Sequence, residues 1–173
     1  MVHGGGVVAY PTEAVYGLGC DPLDHQAILR LFAIKKRPTT KGLILLAADY
    51  AAVAPFVGLI ADHVLAHCLA TWPGPVTWVL PAHPDTPPWL CGAHQSIAVR
   101  VTAHPLAAAL CRAVGHPLVS TSANLSGHPP LRSALAVRRG LGERVDCLLH
   151  GPLGGATRPT TIRDGLTGTV LRP

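Results

Sequence analysis

The apolar runs of this sequence are all short, and turn-forming residues close each of them. Seventeen prolines and eighteen glycines are spread over 173 residues, so helices and strands must end early. Runs such as Gly42–Leu46 and Val76–Leu80 have the length and composition of buried strands. Apolar residues at helical spacing, as at Ile28 and Leu31, occur between such runs. The alternation predicts one α/β domain over residues 1–173.

The composition indicates a folded protein with an anionic partner. Hydrophobic residues make up 49% and charged residues 13%, which excludes a disordered polymer. The formal net charge is +5 with histidine neutral. Such a charge suits a nucleotide, pyrophosphate or RNA, and it does not choose among them.

The cysteines and the apolar runs predict a cytoplasmic location with no membrane contact. There are five cysteines and no CxxC pair, which is typical of reduced thiols that fill a core. No apolar stretch approaches the roughly 20 residues that a membrane span requires. The amino-terminal residues, MVHGGGVVAYPTE, lack the basic start and apolar core of a signal peptide.

No metal site within the protein is predicted. His63 and His67 lie four residues apart and can share a helix face, but the glutamate of the zinc-protease pattern and a clear third ligand are missing. Cys91 and His94 lack further ligands in the same way.

One polar segment, Pro117–Gly127, is the centre of the functional interpretation. It reads PLVSTSANLSG, an apolar strand end followed by small hydroxyl and amide side chains, among them Ser122 and Asn124. Small polar loops at strand ends commonly hold ligands in open α/β sheets. The same composition also suits a surface turn, and this segment alone does not decide between the two.

A second polar segment, Lys35–Arg37, stands at the predicted end of a helix. Asp24 is the expected N-cap of that helix, and Pro38 follows the cations. A cation at a helix C-terminus contributes about 0.3–1 kcal/mol through the helix dipole. Three adjacent cations point to different sides of the helix, so the dipole does not account for all three. In a helix-to-strand connection they can converge on a phosphate.

Two further side chains are candidates for ligand contact. Arg100 lies in the apolar strand Ser96–Val101 and needs an anionic partner, because an unpaired buried charge is costly. That partner is either a protein carboxylate or, since the chain has only nine acidic residues, a ligand carboxylate or phosphate. Thr12 follows the first strand and either contacts a ligand or caps a turn.

Three common nucleotide and hydrolase motifs are absent. The sequence has no G-x-G-x-x-G after a strand, no G-x4-G-K-[ST] and no G-x-S-x-G. A Rossmann dinucleotide site, a P-loop and an α/β-hydrolase site are therefore not expected.

The blocks AYPTEAVYGLGCDP, KKRP before GLILLA, WPGPVT, SIAVRVTAHP and PLVSTSANLSG occur in one order. Together they resemble the YrdC/TsaC threonylcarbamoyl-AMP synthases in their short, single-domain form. The K-x-R and S-x-N signature, here Lys35–Arg37 and Ser122–Asn124, is specific when it accompanies the PTE-x-VYGLG block. The resemblance implies a twisted, mixed open sheet flanked by helices around a basic concave cavity.

The resemblance also implies a reaction. L-Threonine and bicarbonate or CO2 would form N-carboxythreonine, whose carboxylate attacks the α-phosphate of ATP. The products would be L-threonylcarbamoyladenylate and pyrophosphate, with Mg2+ held largely through the ATP phosphates. A separate transferase complex would then modify an adenosine beside the tRNA anticodon.

The resemblance assigns site residues by position. The residues expected to bind ATP are Lys35, Arg37, Ser122, Asn124 and Arg172, the first two with a catalytic role. The residues expected to bind threonine are Thr12, Arg100 and Thr160. No general base is implied, because the attacking carboxylate is already anionic.

The sequence departs from this family's pattern in three places. Only MVHGGG stands before the first strand, so the helix that normally precedes it is either missing or lies upstream of this start. Leu46 stands near the position where longer members often carry histidine, and their extra C-terminal domain is absent.

Two other functions stay open at this stage. One is a non-catalytic double-stranded RNA-binding or ribosome-assembly protein, or one that contacts tRNA. The sequence has too few aromatic residues for a single-strand stacking platform. The other is a paralogue that acts on a different carbamoyl substrate.

Overall fold

Short strands and short helices alternate along the chain, as the spacing of turn-forming residues predicts. The structure is a computed structural model that describes residues 1–173. The strands are β1 Val8–Pro11, β2 Tyr16–Gly19, β3 Ile44–Ala47, β4 Val76–Pro81, β5 Ser96–Val101, β6 Leu118–Ser122, β7 Cys147–Leu148, β8 Thr161–Asp164 and β9 Val170–Arg172. The helices are α1 His25–Lys35, α2 Tyr50–Val53, α3 Asp62–Thr71, α4 Pro88–Cys91, α5 Pro105–Val114 and α6 Ala134–Leu141.

The nine strands form one mixed sheet, in the order β7-β1-β2-β6-β3-β5-β4-β8-β9. The pairs β1–β7, β3–β5 and β4–β8 are parallel. The other five pairs are antiparallel. The predicted α/β class and mixed open sheet are thus confirmed. Strands β6, β3, β5, β4 and β8 are neighbours in space, although the chain reaches them in a different order.

The two faces of the sheet have separate apolar cores. Leu45 and Val119 point into the larger core, to which α1, α3 and α6 contribute side chains. Leu46 and Leu118, one residue away on the same strands, point into a smaller core with α5. This period-two alternation places helices on both faces of the sheet. The α5 face is covered only in part, and the functional cavity described below lies on the uncovered part.

The way in which α1 ends determines where the side chains of the cationic segment Lys35–Arg37 point. Asp24 is its N-cap, as expected, and its side chain accepts hydrogen bonds from the amides of Gln26 and Ala27. Lys36 adopts a left-handed conformation with φ of 50°, which ends the helix at Lys35. Lys35 and Arg37 therefore leave the backbone in different directions.

The segment His83–Gly92 has a proline-rich sequence that predicts an exposed loop, and this prediction is wrong for its second half. Residues 88–91 form α4, in which Leu90 is fully buried and Cys91 is nearly so. The Trp89 indole also donates a hydrogen bond to the Pro22 carbonyl. The proline-rich composition suggested a mobile loop, but the side chains within it are anchored in the core.

The residues before β1 are ordered and packed against the sheet. Residues 2–4 form a single 3-10 turn before β1, with Val2 buried in the α5-side core. None of the helices has both the length and the apolar character that crossing a bilayer demands.

We predict that one thiol reacts quickly with a chromogenic disulfide reagent at pH 8 and that four react slowly. All five cysteines are free, and only Cys147 is partly exposed. Burial raises the pKa of Cys20 to about 12 and of Cys68 and Cys111 to about 11, which keeps these thiols protonated and unreactive. Cys147→Ser should remove the fast phase, and denaturant should expose the remaining thiols. Two or more fast thiols in the native protein would contradict this prediction.

Candidate active site

The floor of the main cavity is a row of side chains that crosses five strands. Ser120 of β6 lies opposite Ile44 of β3, Ile44 opposite Ala98 of β5, Ala98 opposite Val79 of β4, and Val79 opposite Asp164 of β8. All five residues line the cavity, whose volume is about 530 Å³. Ligand pockets commonly measure roughly 300–1,000 Å³. The small side chains Ser120 and Ala98 give the cavity its depth.

Six of the eight predicted site residues line this one cavity. They come from six separate parts of the chain and are Thr12, Arg37, Arg100, Ser122, Thr160 and Arg172. The other two, Lys35 and Asn124, do not line it. The fold therefore brings most of the predicted site together and places the remaining two residues behind the end of β6.

Lys35 is buried and bound to the backbone of the polar segment. Its ammonium donates to the Ser122 carbonyl, to the Asn124 carbonyl at 2.9 Å and to Asn124 Oδ1 at 3.3 Å. Only 3% of the residue is exposed. Burial, and to a smaller extent the charge of Arg37, lowers the pKa of Lys35 to about 8. Lys35 thus holds the end of β6 in place from behind.

Asn124 completes this arrangement through its amide. Its Oδ1 accepts a hydrogen bond from the Ser122 hydroxyl at 2.6 Å, and its Nδ2 donates to the carbonyls of Leu125 and His128. Every polar atom of the Asn124 side chain is thereby used within the protein. The hydrogen bonds of Ser122 and Asn124 therefore fix the shape of the loop that follows β6. Ser122 lies at the cavity wall.

Arg37 enters the cavity directly. Its Nη2 donates to the Gly42 carbonyl at 2.8 Å, which fixes the guanidinium. Its buried Nε makes no hydrogen bond within the protein. Burial lowers the pKa of Arg37 from its ordinary value, although an arginine stays protonated in this environment. A fixed guanidinium with an unused donor is suited to bind an anionic ligand.

Arg100 has a protein partner as well as access to the cavity. Its Nη2 lies 3.3 Å from Glu13 Oε2, and both side chains are about nine-tenths buried. The sequence did not decide whether the partner of Arg100 is a protein carboxylate or a ligand. The structure gives it a protein carboxylate, that of Glu13. The buried Nε of Arg100 makes no hydrogen bond within the protein. Arg100 can bind a second anion while Glu13 fixes its position.

The Glu13 carboxylate is held by a small network. Its Oε1 accepts from the Thr102 hydroxyl at 2.7 Å and from the Ala103 amide at 3.2 Å. Burial alone would raise the pKa of Glu13, but the Arg100 guanidinium and the Thr102 hydroxyl together hold that pKa below its usual value. Glu13 is therefore ionised at neutral pH and orients Arg100.

Arg172 and the two predicted threonines complete the cavity wall. Arg172 Nη2 donates to the Thr160 carbonyl at 2.8 Å. Partial burial, followed by the charges of Arg100 and Arg37, lowers the pKa of Arg172. Thr12 donates its hydroxyl hydrogen to the Val15 carbonyl at 2.7 Å. Thr12 thus closes a turn and also lines the cavity.

The cavity combines three cations with little free negative charge. Arg37, Arg100 and Arg172 line it, and Asp164 is the one acidic residue in its lining. The Asp164 carboxylate already accepts hydrogen bonds from the amides of Leu166 and Thr167. A site with this balance favours a ligand that carries several negative charges. Carboxylate oxygens that could form a cage for Mg2+ are lacking, so a magnesium ion that enters on a phosphate chain fits better than a resident ion.

Sequence reasoning missed two residues of the site. Glu13 and Asp164 were not singled out, although Glu13 stands in the PTE block. The only signal for Glu13 was the need of Arg100 for a counter-charge. His63 and His67 have ring centroids 6.4 Å apart, and neither belongs to a cluster of three metal-binding groups.

Comparison with known proteins identifies the family. The Sua5/YciO/YrdC family model, described as telomere recombination, matches residues 1–173. The chain belongs to the Sua5/YciO/YrdC family. The predicted family membership is therefore confirmed.

Relatives within the Sua5/YciO/YrdC family agree over nearly the full chain. The threonylcarbamoyl-AMP synthase of Halorhodospira halophila is 55% identical over 168 residues, 97% of this chain and 88% of the relative. The enzyme of the same name from Coxiella burnetii is 52% identical over 168 residues, 97% of this chain and 90% of the relative. The crystal structure of P. abyssi Sua5 complexed with L-threonine superposes with a TM-score of 0.90 at 34% identity, over 99% of this chain and 51% of that chain.

Proposed function

We propose that this protein is a threonylcarbamoyl-AMP synthase. The observation that carries the proposal is an identity of 52–55%, over nearly the whole length, with relatives of that name. The likeness to a Sua5 structure that contains L-threonine supports an amino acid as one substrate. The substrates are L-threonine, bicarbonate or CO2, and ATP, and the enzyme is a nucleotidyltransferase.

The reaction has two stages whose atoms balance. The threonine amine and bicarbonate give N-carboxythreonine and water. A carboxylate oxygen of N-carboxythreonine then attacks the α-phosphorus of ATP. The bond between that phosphorus and the bridging oxygen to the β-phosphate breaks, and pyrophosphate leaves with its electrons. The product is L-threonylcarbamoyladenylate.

The protein contributes position and positive charge to this reaction. Arg37 and Arg172 bind the phosphates and stabilise the charge that builds on them as pyrophosphate departs. Arg100, oriented by Glu13, binds the threonine carboxylate, with Thr12 and Thr160 beside it. The attacking carboxylate needs no deprotonation, so no general base is required. Mg2+ bound to the ATP phosphates supplies further charge neutralisation.

The role of Lys35 differs from that of Arg37 in this proposal. A direct phosphate contact would require the Lys35 ammonium to exchange its carbonyl partners for a phosphate oxygen. Arg37 needs no such exchange, because it lines the cavity and gives only one hydrogen bond to the protein, from Nη2 to the Gly42 carbonyl. Lys35 and Asn124 therefore act mainly by holding the Ser122 side of the nucleotide site.

The product is a labile mixed anhydride and must be consumed by a separate acyl transfer. We propose that a threonylcarbamoyl transferase complex in the cytoplasm accepts it for tRNA modification. An RNA-binding function without catalysis is not favoured, because the relatives of highest identity described above are named as synthases.

Pyrophosphate release from ATP tests the proposal. In the presence of Mg2+, release should require both L-threonine and bicarbonate, and serine should support it poorly. The same preparation should be checked for folding by circular dichroism and for ATP binding. Absence of release in a folded, ATP-binding protein would refute the proposed function, and tight salt-sensitive binding of duplex RNA would then favour the alternative.

A further inference from the structure

Three metal-binding side chains meet at the end of the sheet opposite the cavity. His3 belongs to the amino-terminal 3-10 turn, Asp21 follows β2, and His116 precedes β6. Their ligand atoms all lie within 4.8 Å of one another. In the β2–β6 pairing Gly17 lies opposite Ser122, and both residues line the cavity. Asp21 comes four residues after Gly17, which at strand spacing places it about 13 Å from the cavity wall.

The His116 ring is set to present a lone pair. Its Nδ1 lies 2.8 Å from the Pro117 carbonyl, which can only accept a hydrogen bond, so Nδ1 carries a hydrogen. Its Nε2 is buried and makes no hydrogen bond within the protein. A histidine that donates one ring N–H to a carbonyl and leaves the other nitrogen free has the arrangement of a metal ligand.

The Asp21 carboxylate, like the His116 ring, is held by a hydrogen bond to the backbone. Its Oδ1 accepts a hydrogen bond from the Leu23 amide at 2.8 Å. Its Oδ2 faces His116 Nε2 at 3.4 Å, and that contact does not form a hydrogen bond. A cation placed between these two atoms would bind both of them.

The separation of these two atoms suits a zinc ion. Zinc binds histidine nitrogen and carboxylate oxygen at about 2.0–2.2 Å. Two ligand atoms 3.4 Å apart, each about 2.1 Å from one ion, subtend an angle of roughly 108° at the metal, close to the tetrahedral value. His3 is exposed, so its side chain is free to turn toward the same ion. Water would complete the coordination.

We propose that His3, Asp21 and His116 form a zinc site separate from the substrate cavity. The ion joins three segments that are distant in sequence: the amino-terminal turn, the connection from β2 to α1 and the connection from α5 to β6. Its role is to fix the amino-terminal turn against the sheet. The inference does not depend on the proposed catalytic function.

Zinc binding to the full chain tests the proposal. Protein dialysed against a chelator is titrated with Zn2+ by calorimetry in excess Mg2+, and with Co2+ by visible absorption. We expect one Zn2+ per chain and the intense absorption of tetrahedral Co2+. Zn2+ should also raise the melting temperature, because it binds the folded state.

Variants separate this site from adventitious binding. Asp21→Asn and His116→Ala should abolish one-to-one binding, and His3→Ala should weaken it roughly tenfold or more. The exposed position of His3 makes that variant informative even if His116→Ala does not fold. The control is His67→Ala, which removes a histidine of the His63–His67 pair and should leave the affinity unchanged.

Three results would overturn the site. They are the absence of saturable one-to-one binding, retained affinity in Asp21→Asn, and unchanged affinity in His3→Ala. The first would leave His116 and Asp21 as a simple ion pair.

Discussion

Arg37→Ala is expected to lower the rate of threonine-dependent pyrophosphate release roughly 10²–10³-fold, with little loss of stability. Removal of one preorganised charge at a developing anion typically costs this much in kcat. The single hydrogen bond that Arg37 gives to the Gly42 carbonyl is worth about 1 kcal/mol to folding. The measurement is kcat for pyrophosphate release together with a denaturant unfolding curve.

The matched variant is Lys35→Ala, which should lose both activity and stability. Lys35 donates to the carbonyls of Ser122 and Asn124 from a site that is 3% exposed. Removal of the ammonium leaves these oxygens without their donor, and we expect a loss of about 2–4 kcal/mol in the free energy of unfolding. Lys35→Met, which keeps most of the volume, separates loss of charge from loss of packing.

Two outcomes would contradict this pair of predictions. Full activity in Arg37→Ala would remove Arg37 from the phosphate site. Unchanged stability in Lys35→Ala would mean that the contacts behind β6 do not hold the loop, and a direct catalytic contact by Lys35 would then be favoured.

Arg100→Ala is expected to raise the KM for L-threonine roughly 10²-fold and to change the KM for ATP much less. Loss of a buried, charge-assisted contact to a ligand carboxylate commonly costs about 2–5 kcal/mol. The variant also leaves the Glu13 carboxylate buried without its guanidinium partner. Steady-state kinetics with each substrate varied in turn measures the two KM values.

A second variant, Glu13→Gln, tests whether Glu13 acts through Arg100. Glutamine keeps an oxygen that can accept from Thr102 and Ala103 but removes the charge that orients the guanidinium. We expect a smaller rise in the threonine KM than in Arg100→Ala and no further rise when both changes are combined. An unchanged threonine KM in Arg100→Ala would assign Arg100 to structure alone.

Local signals in the sequence predicted much of the fold. Asp24 was correctly identified as a helix N-cap, because a capping side chain acts within three residues of its own position. The error at α4 arose because proline suggests a loop, whereas Leu90 is held by contacts with residues far away in the sequence.

The contacts that make the site could not be predicted in this way. Lys35 reaches carbonyls 87 and 89 residues along the chain, and those contacts depend on where β6 lies beside α1. Cations at a helix end are usually solvated, so nothing local indicates that Lys35 is buried. The Arg100–Glu13 pair likewise depends on how the connection from β1 to β2 lies against β5, a strand that is adjacent to neither of them in the sheet, and no local signal specifies that.

The floor of the cavity is held in place more firmly than the wall that carries Arg172. It consists of five adjacent strands joined by backbone hydrogen bonds, which is the part of such a molecule that opens last. The wall that carries Arg172 is different, because β9 is an edge strand with exposed side chains and a single neighbour, β8. The floor therefore serves as a fixed template, and β9 is the part of the cavity wall that the fewest backbone hydrogen bonds hold in place.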